Sequence, residues 1–145
     1  MKTYFVDGQF LPSSDAKIPV DDLSVLRGFG VCDVMRTYDK KPYLMQAHIR
    51  RLVSSAADIG LKLPWDVTQL SHIVLKTLEK NSFQDEANIR TIITGGSSPD
   101  FFTPSGSPRL IVMVTDLTPL PASYYEKGIK VITCRQERSM PGTKV

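Results

Sequence analysis

The period of the hydrophobic pattern changes twice along the chain, from two to about three and a half and back. Apolar runs at 4–6 and 9–11 flank Asp7-Gly8, a pair that favours a tight two-residue turn, so a β-hairpin is predicted there. After a polar, proline-bearing loop and a glycine-rich break, Val31–Tyr38 predicts a longer strand. The first third of the chain is therefore expected to be β-structure.

Apolar residues between positions 45 and 80 recur every three or four positions, which is typical of amphipathic helices. The first stripe ends at Gly60, and Asp66 with Gln69 has the spacing of a capping box that opens a second helix. The stripes consist of Met45, Ile49, Leu52, Ala56 and Ile59, then Val67, Leu70, Ile73, Val74 and Leu78.

Strand patterns return after the helices. Ala87–Thr94 and Leu110–Thr115 predict two strands that are separated by a Gly/Ser/Pro loop, and Gly128–Cys134 predicts a last one. The order of strands, two helices and strands favours an α+β fold over βαβ winding, because the helices are not interleaved with the strands. We expect a mixed or antiparallel sheet with two helices on one face.

A domain boundary is expected near residue 118. Residues 1–118 carry a full set of strands and helices, and 119–145 begin with a linker that contains two prolines. The strand predicted at Gly128–Cys134 has no later segment to pair with, and proteins normally cover such an apolar edge. We interpret 119–145 as a linker and the first strand of a truncated second domain.

Composition and charge exclude several function classes. The chain has 145 residues and a net charge of +3 from scattered basic residues, which is too small for a nucleic-acid footprint. The longest apolar run, Leu110–Val114, is far short of the roughly 20 residues that span a bilayer. Cys32 and Cys134 make no disulfide framework and no zinc-ligand spacing is present, so we expect a cytoplasmic protein without a metal.

Four features could carry chemistry. On the first helix, His48, Arg51 and Ser55 share one flank of the apolar stripe, and Arg50 lies on the other flank. An arginine there either packs and pairs structurally or binds a phosphate or carboxylate through its guanidinium fork. Lys144 is either a solvated side chain or an amine that forms a Schiff base.

Two further features lie on and after the strand at 87–94. Gly95-Gly96 is either a plain turn or a backbone cradle for an anion. Arg90 shares a strand face with Ile92, so it needs either a structural ion pair or a bound carboxylate.

Four segments together span nearly the whole chain: RGFGVCDVMRTY, HIRRLVSSAADIGL, ANIRTIITGGSSPD and RQERSMPGTKV. In order and spacing they resemble segments of the fold-type IV pyridoxal-phosphate enzymes, the class IV aminotransferases. That family includes branched-chain and D-amino-acid aminotransferases and 4-amino-4-deoxychorismate lyase. The second and the last of the four segments are the most specific.

The resemblance implies pyridoxal 5'-phosphate as cofactor. It makes Arg51 the ligand of the cofactor phosphate and Lys144 the Schiff-base lysine that also shuttles the proton. It makes Arg138 the arginine upstream of that lysine. The cofactor ring takes up the electrons released when the amino acid is deprotonated.

The resemblance also implies a pocket for an amino acid and a 2-oxo acid that a second copy of the chain completes, hence a homodimer. Arg36, Arg90 and the loop Thr94-Gly95-Gly96 would border it. Cys32 stands where the family usually has Tyr or Phe, so the side-chain preference differs. Gly95 replaces the arginine of D-amino-acid aminotransferases, which favours the branched-chain type.

The leading hypothesis is branched-chain-aminotransferase-like amino transfer, with the 145-residue chain alone inactive. The alternative within the family is a lyase that releases pyruvate from aminodeoxychorismate through the same lysine. The alternative from another class is a non-catalytic fragment or interaction domain. This last alternative rests on two features that the resemblance implies and that would lie beyond Val145: the acidic partner of the pyridine nitrogen and the second phosphate-binding loop.

Overall fold

A six-stranded sheet, antiparallel at every strand pair, forms the frame of the protein, with strand order β2-β1-β6-β5-β3-β4. The computed structural model describes residues 1–137 and 140–144. The elements are β1 (Thr3–Val6), β2 (Gln9–Pro12), α1 (Leu23–Arg27), β3 (Gly30–Tyr38), β4 (Lys41–Pro42), α2 (Met45–Asp58), α3 (Val67–Glu79), β5 (Ala87–Thr94), β6 (Arg109–Asp116) and α4 (Ala122–Lys127). The predicted α+β class is confirmed.

Helices α2 and α3 cover one face of the sheet, as the sequence predicted. Burial alternates along β3 and β6, as expected for strands with one face against a core. The core lies between that face and the apolar stripes of the two helices. Its fully buried members include Ile49, Leu52, Val74, Ile89, Ile93, Leu110, Val112 and Val114.

Local signals explain where the hairpin and the helices begin and end. The hairpin turn is built from Asp7 and Gly8, both with positive φ (48° and 87°). The predicted capping box is formed: the Asp66 carboxylate accepts from the Gln69 N–H at 2.7 Å, and the Gln69 side chain accepts from the Asp66 N–H at 2.9 Å. Gly60, at φ 79°, follows the end of α2.

The structure differs from the sequence prediction in four places, of which the smallest is the two-residue strand β4, which was not predicted. Helices α1 and α4 were not predicted; both are so short that no apolar period can be recognised within them. The strand predicted at Gly128–Cys134 is wrong for this chain, since residues 128–137 form no strand and are exposed. A strand needs a neighbour for its N–H and C=O groups, and no described segment pairs with this one. The division at residue 118 stays a prediction.

We expect Asp66→Ala to lower the free energy of unfolding by about 1 kcal/mol, because the first turn of α3 loses its N-cap. Urea unfolding followed by circular dichroism measures this. Asp85→Ala, at an exposed aspartate outside the helices, is the control and should change stability by less than about 0.5 kcal/mol. Equal effects of the two substitutions would contradict the role of the capping box.

Candidate functional site

A buried carboxylate on β3 organises the candidate site. Asp33 lies on the helix-covered face between Val31 and Met35, and its side chain is 1% exposed. Arg51 of α2 donates to it twice, from Nε to Oδ2 at 2.7 Å and from Nη2 to Oδ1 at 2.8 Å. Nδ1 of His48 lies 2.7 Å from Oδ1. The carboxylate thus fixes the direction in which the Arg51 guanidinium points.

The charges in this cluster stabilise one another. Burial on its own raises the pKa of Asp33, but the hydrogen bonds and charges of Arg51 and His48 outweigh it and hold that pKa below its usual value. The hydrogen bond to Asp33 raises the pKa of Arg51 in turn. Sequence reasoning missed Asp33. The available signal was an acidic residue at a buried position of an alternating strand, which requires a partner.

Lys144 docks on the same flank of α2. Its backbone N–H donates to Oγ of Ser55 at 3.0 Å, and its carbonyl accepts from the Cys32 N–H at 3.3 Å. One residue earlier, the Thr143 hydroxyl donates to the Asp58 carboxylate at 2.7 Å. The predicted placement of Arg51 and Ser55 on one flank is therefore confirmed, and the tertiary structure adds Lys144 to it.

Arg51 and the Lys144 segment lie on one flank of α2. The Arg51 side chain is 48% exposed, and Asp33 occupies only its Nε and Nη2, so Nη1 is available to an anion. Lys144 is half-buried and forms no ion pair within residues 1–137 and 140–144. A guanidinium with a spare donor can bind a phosphate or carboxylate, and a lysine amine can form a Schiff base.

The face of the sheet opposite the helices carries three of the other predicted site residues: Cys32, Arg36 and Arg90. Strand register aligns Cys32 with Ile92, and Val34 with Arg90. The exposed Arg90 shares a pocket of about 120 Å³ with Val34, Asn88, Met113 and Thr115. Arg90 makes no ion pair among the described residues, so the carboxylate-binding alternative stays open. This open face is apolar with isolated cations.

Arg36 lies on the same face as Cys32 and Val34, two residues further along β3. Its guanidinium carbon lies 4.1 Å from the centre of the Tyr38 ring, and its Nε donates to the Thr37 carbonyl at 3.2 Å. The cation is thus oriented by a ring and a carbonyl rather than by a carboxylate.

Thr94, Gly95 and Gly96 are buried rather than open to a ligand. The Thr94 hydroxyl donates to the buried carboxylate of Asp22 at 2.8 Å and accepts from the Gly96 N–H at 3.1 Å, and the Gly95 N–H donates to the Phe29 carbonyl. Because these N–H groups are engaged within the fold, the geometry favours the plain turn over the anion cradle.

Other parts of the chain add little to the site. Arg138, expected upstream of the lysine, lies outside the described residues.

Across residues 1–137 and 140–144, no three His, Cys, Asp or Glu side chains form a group that could hold a metal ion, and none of the helices is long and apolar enough to cross a membrane. A cavity of about 560 Å³ next to Lys2 and Asp116 contains none of the predicted site residues.

A family model and the relatives that match this chain all concern aminotransferases. The model of the amino-transferase class IV family matches residues 30–144. A protein of Methanocaldococcus jannaschii, provisionally named a branched-chain-amino-acid aminotransferase, is 33% identical over 140 residues. The D-alanine aminotransferase of Staphylococcus epidermidis is 30% identical over 141 residues. Each match covers 95% of this chain but only 47% and 49% of the relative, so the chain spans about half their length.

A solved structure shares the fold. The branched-chain aminotransferase of the archaeon Thermoproteus uzoniensis, crystallised with norvaline, superposes with a TM-score of 0.73 at 24% identity. The superposition covers 81% of this chain and 41% of that protein. The fold expected for the small N-terminal part of such enzymes is therefore confirmed.

We expect Asp33→Asn to lower the free energy of unfolding by about 2 kcal/mol near neutral pH, because the hydrogen bonds of Arg51 and His48 lose their charged acceptor. The pKa of Asp33 is lowered in the folded state, so the ionised carboxylate stabilises the fold above the ordinary aspartate value of about 4. That stabilisation disappears as the pH falls through the folded-state pKa. Urea midpoints between pH 7 and pH 3 should show the difference between variant and parent shrinking towards the acidic end.

The control is Asp85→Asn, at an exposed aspartate. Its difference from the parent should stay small at every pH. An Asp33→Asn difference that does not vary with pH would rule out the charged pair as the source of the stability.

Proposed function

This chain belongs to the class IV aminotransferase family, and we propose that it binds pyridoxal 5'-phosphate through Arg51 and Lys144 for amino transfer between an amino acid and a 2-oxo acid. One observation carries the proposal. The backbone of Lys144 is hydrogen-bonded to Ser55, one helical turn beyond Arg51 on α2. An arginine with a spare donor and the backbone of a lysine are thus held by the same helix.

The cofactor supplies an electron sink for the carbanion that forms when the amino acid loses its α-proton. Arg51 would hold the phosphate, and Asp33 keeps the guanidinium oriented and ionised. Lys144 would supply the nucleophilic amine and would act as the base and acid that moves the proton. Loss of either residue therefore removes a different function: anchoring by Arg51 and covalent and proton chemistry by Lys144.

The substrate side of the proposal uses the open face of the sheet. Arg90 and Arg36 are cations without a carboxylate partner in the part of the chain that is described, and they flank the apolar side chain of Val34. A carboxylate attached to an aliphatic side chain matches such a surface, which supports branched-chain-like substrates. Cys32 borders it at the β3 edge, and the buried turn Thr94-Gly95-Gly96 shapes its end.

Half of each relative lies outside this chain, so the activity concerns the whole protein. We propose that the whole protein is a cytoplasmic homodimer whose partner subunit completes the pocket. Sedimentation velocity of the whole protein measures this, and a monomer at micromolar concentration would contradict it.

The cofactor proposal is tested by incubating the chain with pyridoxal 5'-phosphate, reducing with borohydride and mapping the modified peptide. We expect one dominant adduct, on Lys144, which Lys144→Ala removes and the control Lys130→Ala, at an exposed lysine, leaves in place. Arg51→Lys should raise the cofactor concentration for half-maximal capture roughly tenfold, because the oriented guanidinium donor is lost. Arg50→Lys, on the other flank, should leave it unchanged.

Labelling spread evenly over the surface lysines would overturn the assignment of Lys144 and favour a non-catalytic fragment. With the whole protein, conversion of L-leucine and 2-oxoglutarate supports the proposed substrate class. Turnover of D-alanine in preference to L-leucine, or release of pyruvate from aminodeoxychorismate, would replace it with the corresponding alternative.

A further inference from the structure

Helix α2 contacts the Lys144 segment at a second place besides Ser55. The Thr143 hydroxyl donates to Oδ2 of Asp58, three residues beyond Ser55 and on the same flank. Thr143 is only 4% exposed, and its N–H closes a turn onto the Met140 carbonyl at 3.0 Å. The segment 140–144 is thus a small folded unit that is seated on the helix.

Residues 128–137 are all exposed, and none of them belongs to a strand or a helix. Among the described residues, the segment 140–144 is attached to α2 and β3 through the backbone of Lys144 and through Thr143. These contacts include Ser55, Asp58 and the N–H of Cys32.

We propose that Ser55 and Asp58 are positioning residues that set the place of Lys144 relative to Arg51. This deepens the proposed function and rests on it. Arg51, Ser55 and Asp58 project from one flank over two turns of a single helix, so α2 sets the spacing between Arg51 and the backbone of Lys144. A lysine whose backbone is fixed in this way has fewer positions to search before its amine meets a phosphate-anchored aldehyde, which raises the effective concentration of the amine.

The effect of removing Asp58 on the rate of cofactor capture distinguishes positioning from simple electrostatics, because the two predict opposite signs. The cofactor is an anion, so removing a nearby carboxylate would on charge alone speed its capture. Removing the hydrogen bond to Thr143 should instead slow the capture, because the Lys144 segment loses an attachment. Asp58→Asn removes the charge but keeps a side-chain oxygen that can accept from Thr143.

The experiment measures the borohydride-trapped capture of pyridoxal 5'-phosphate at Lys144 over time, together with amide hydrogen exchange of the peptide that contains 140–144. We expect Ser55→Ala and Asp58→Ala each to speed exchange of that peptide and to slow capture by about fivefold, the effect of one lost hydrogen bond. Asp58→Asn should match the parent chain in exchange and should not slow capture. Ser54→Ala, at the exposed neighbouring serine, is the matched control and should change neither.

Ser55 is buried, so its variant is checked by circular dichroism, whereas Asp58 is exposed and its variants should keep the fold. Faster capture in Asp58→Ala, or unchanged exchange of residues 140–144 in both alanine variants, would overturn the proposal. Exchange is measured without the cofactor, so it tests the attachment of the 140–144 segment independently of cofactor binding. If exchange changes as expected but Lys144 is never modified, the proposed function is contradicted and the attachment by Ser55 and Asp58 is not.

Discussion

The interaction between the Asp33 carboxylate and the Arg51 guanidinium is the constraint on which the site depends. Asp33 is buried among apolar neighbours, where an unpaired carboxylate would be costly, and the pair with Arg51 and His48 offsets that cost. The pair also joins β3 to α2, the two elements on which Lys144 docks. The guanidinium of Arg51, which stands on a long flexible side chain, is thereby held in one orientation.

The edge of β3 where Lys144 docks is open because neighbouring strands pair with β3 to different extents on its two sides. On one side β5 pairs with it along almost its whole length, from Gly30 to Arg36. On the other side β4 pairs only with Thr37 and Tyr38. The Cys32 N–H, which no neighbouring strand engages there, donates to the Lys144 carbonyl. The edge of β3 that β4 leaves uncovered is thus the place where the Lys144 segment attaches to the sheet.

A second buried carboxylate supports the other end of the sheet. Asp22 accepts from Ser24 at the start of α1, from Thr94 at the end of β5 and from Nε of Arg109 at 3.1 Å. Although burial raises the pKa of Asp22, these hydrogen bonds more than compensate and lower it. They hold the turn at Gly96, where a Cβ would lie 2.1 Å from the Ser107 carbonyl oxygen, in a shape that only glycine permits. The loop that the family resemblance places beside the substrate is therefore rigidly supported.

The sequence by itself determined the local features: the hairpin at Asp7-Gly8, both long helices, the capping box at Asp66 and the strand at Ala87–Thr94. Each depends on neighbours within a few residues, and the flank shared by Arg51 and Ser55 follows from helix geometry alone. Only the tertiary structure decided that Asp33 orients Arg51, that Lys144 docks on Ser55 and that Gly128–Cys134 forms no strand in this chain. These outcomes depend on contacts between residues 18 to 89 positions apart, or on the absence of a partner strand from the described residues. Local periodicity cannot reveal a partner that is distant in sequence, because the hydrogen bond that decides the structure forms only after the chain has folded.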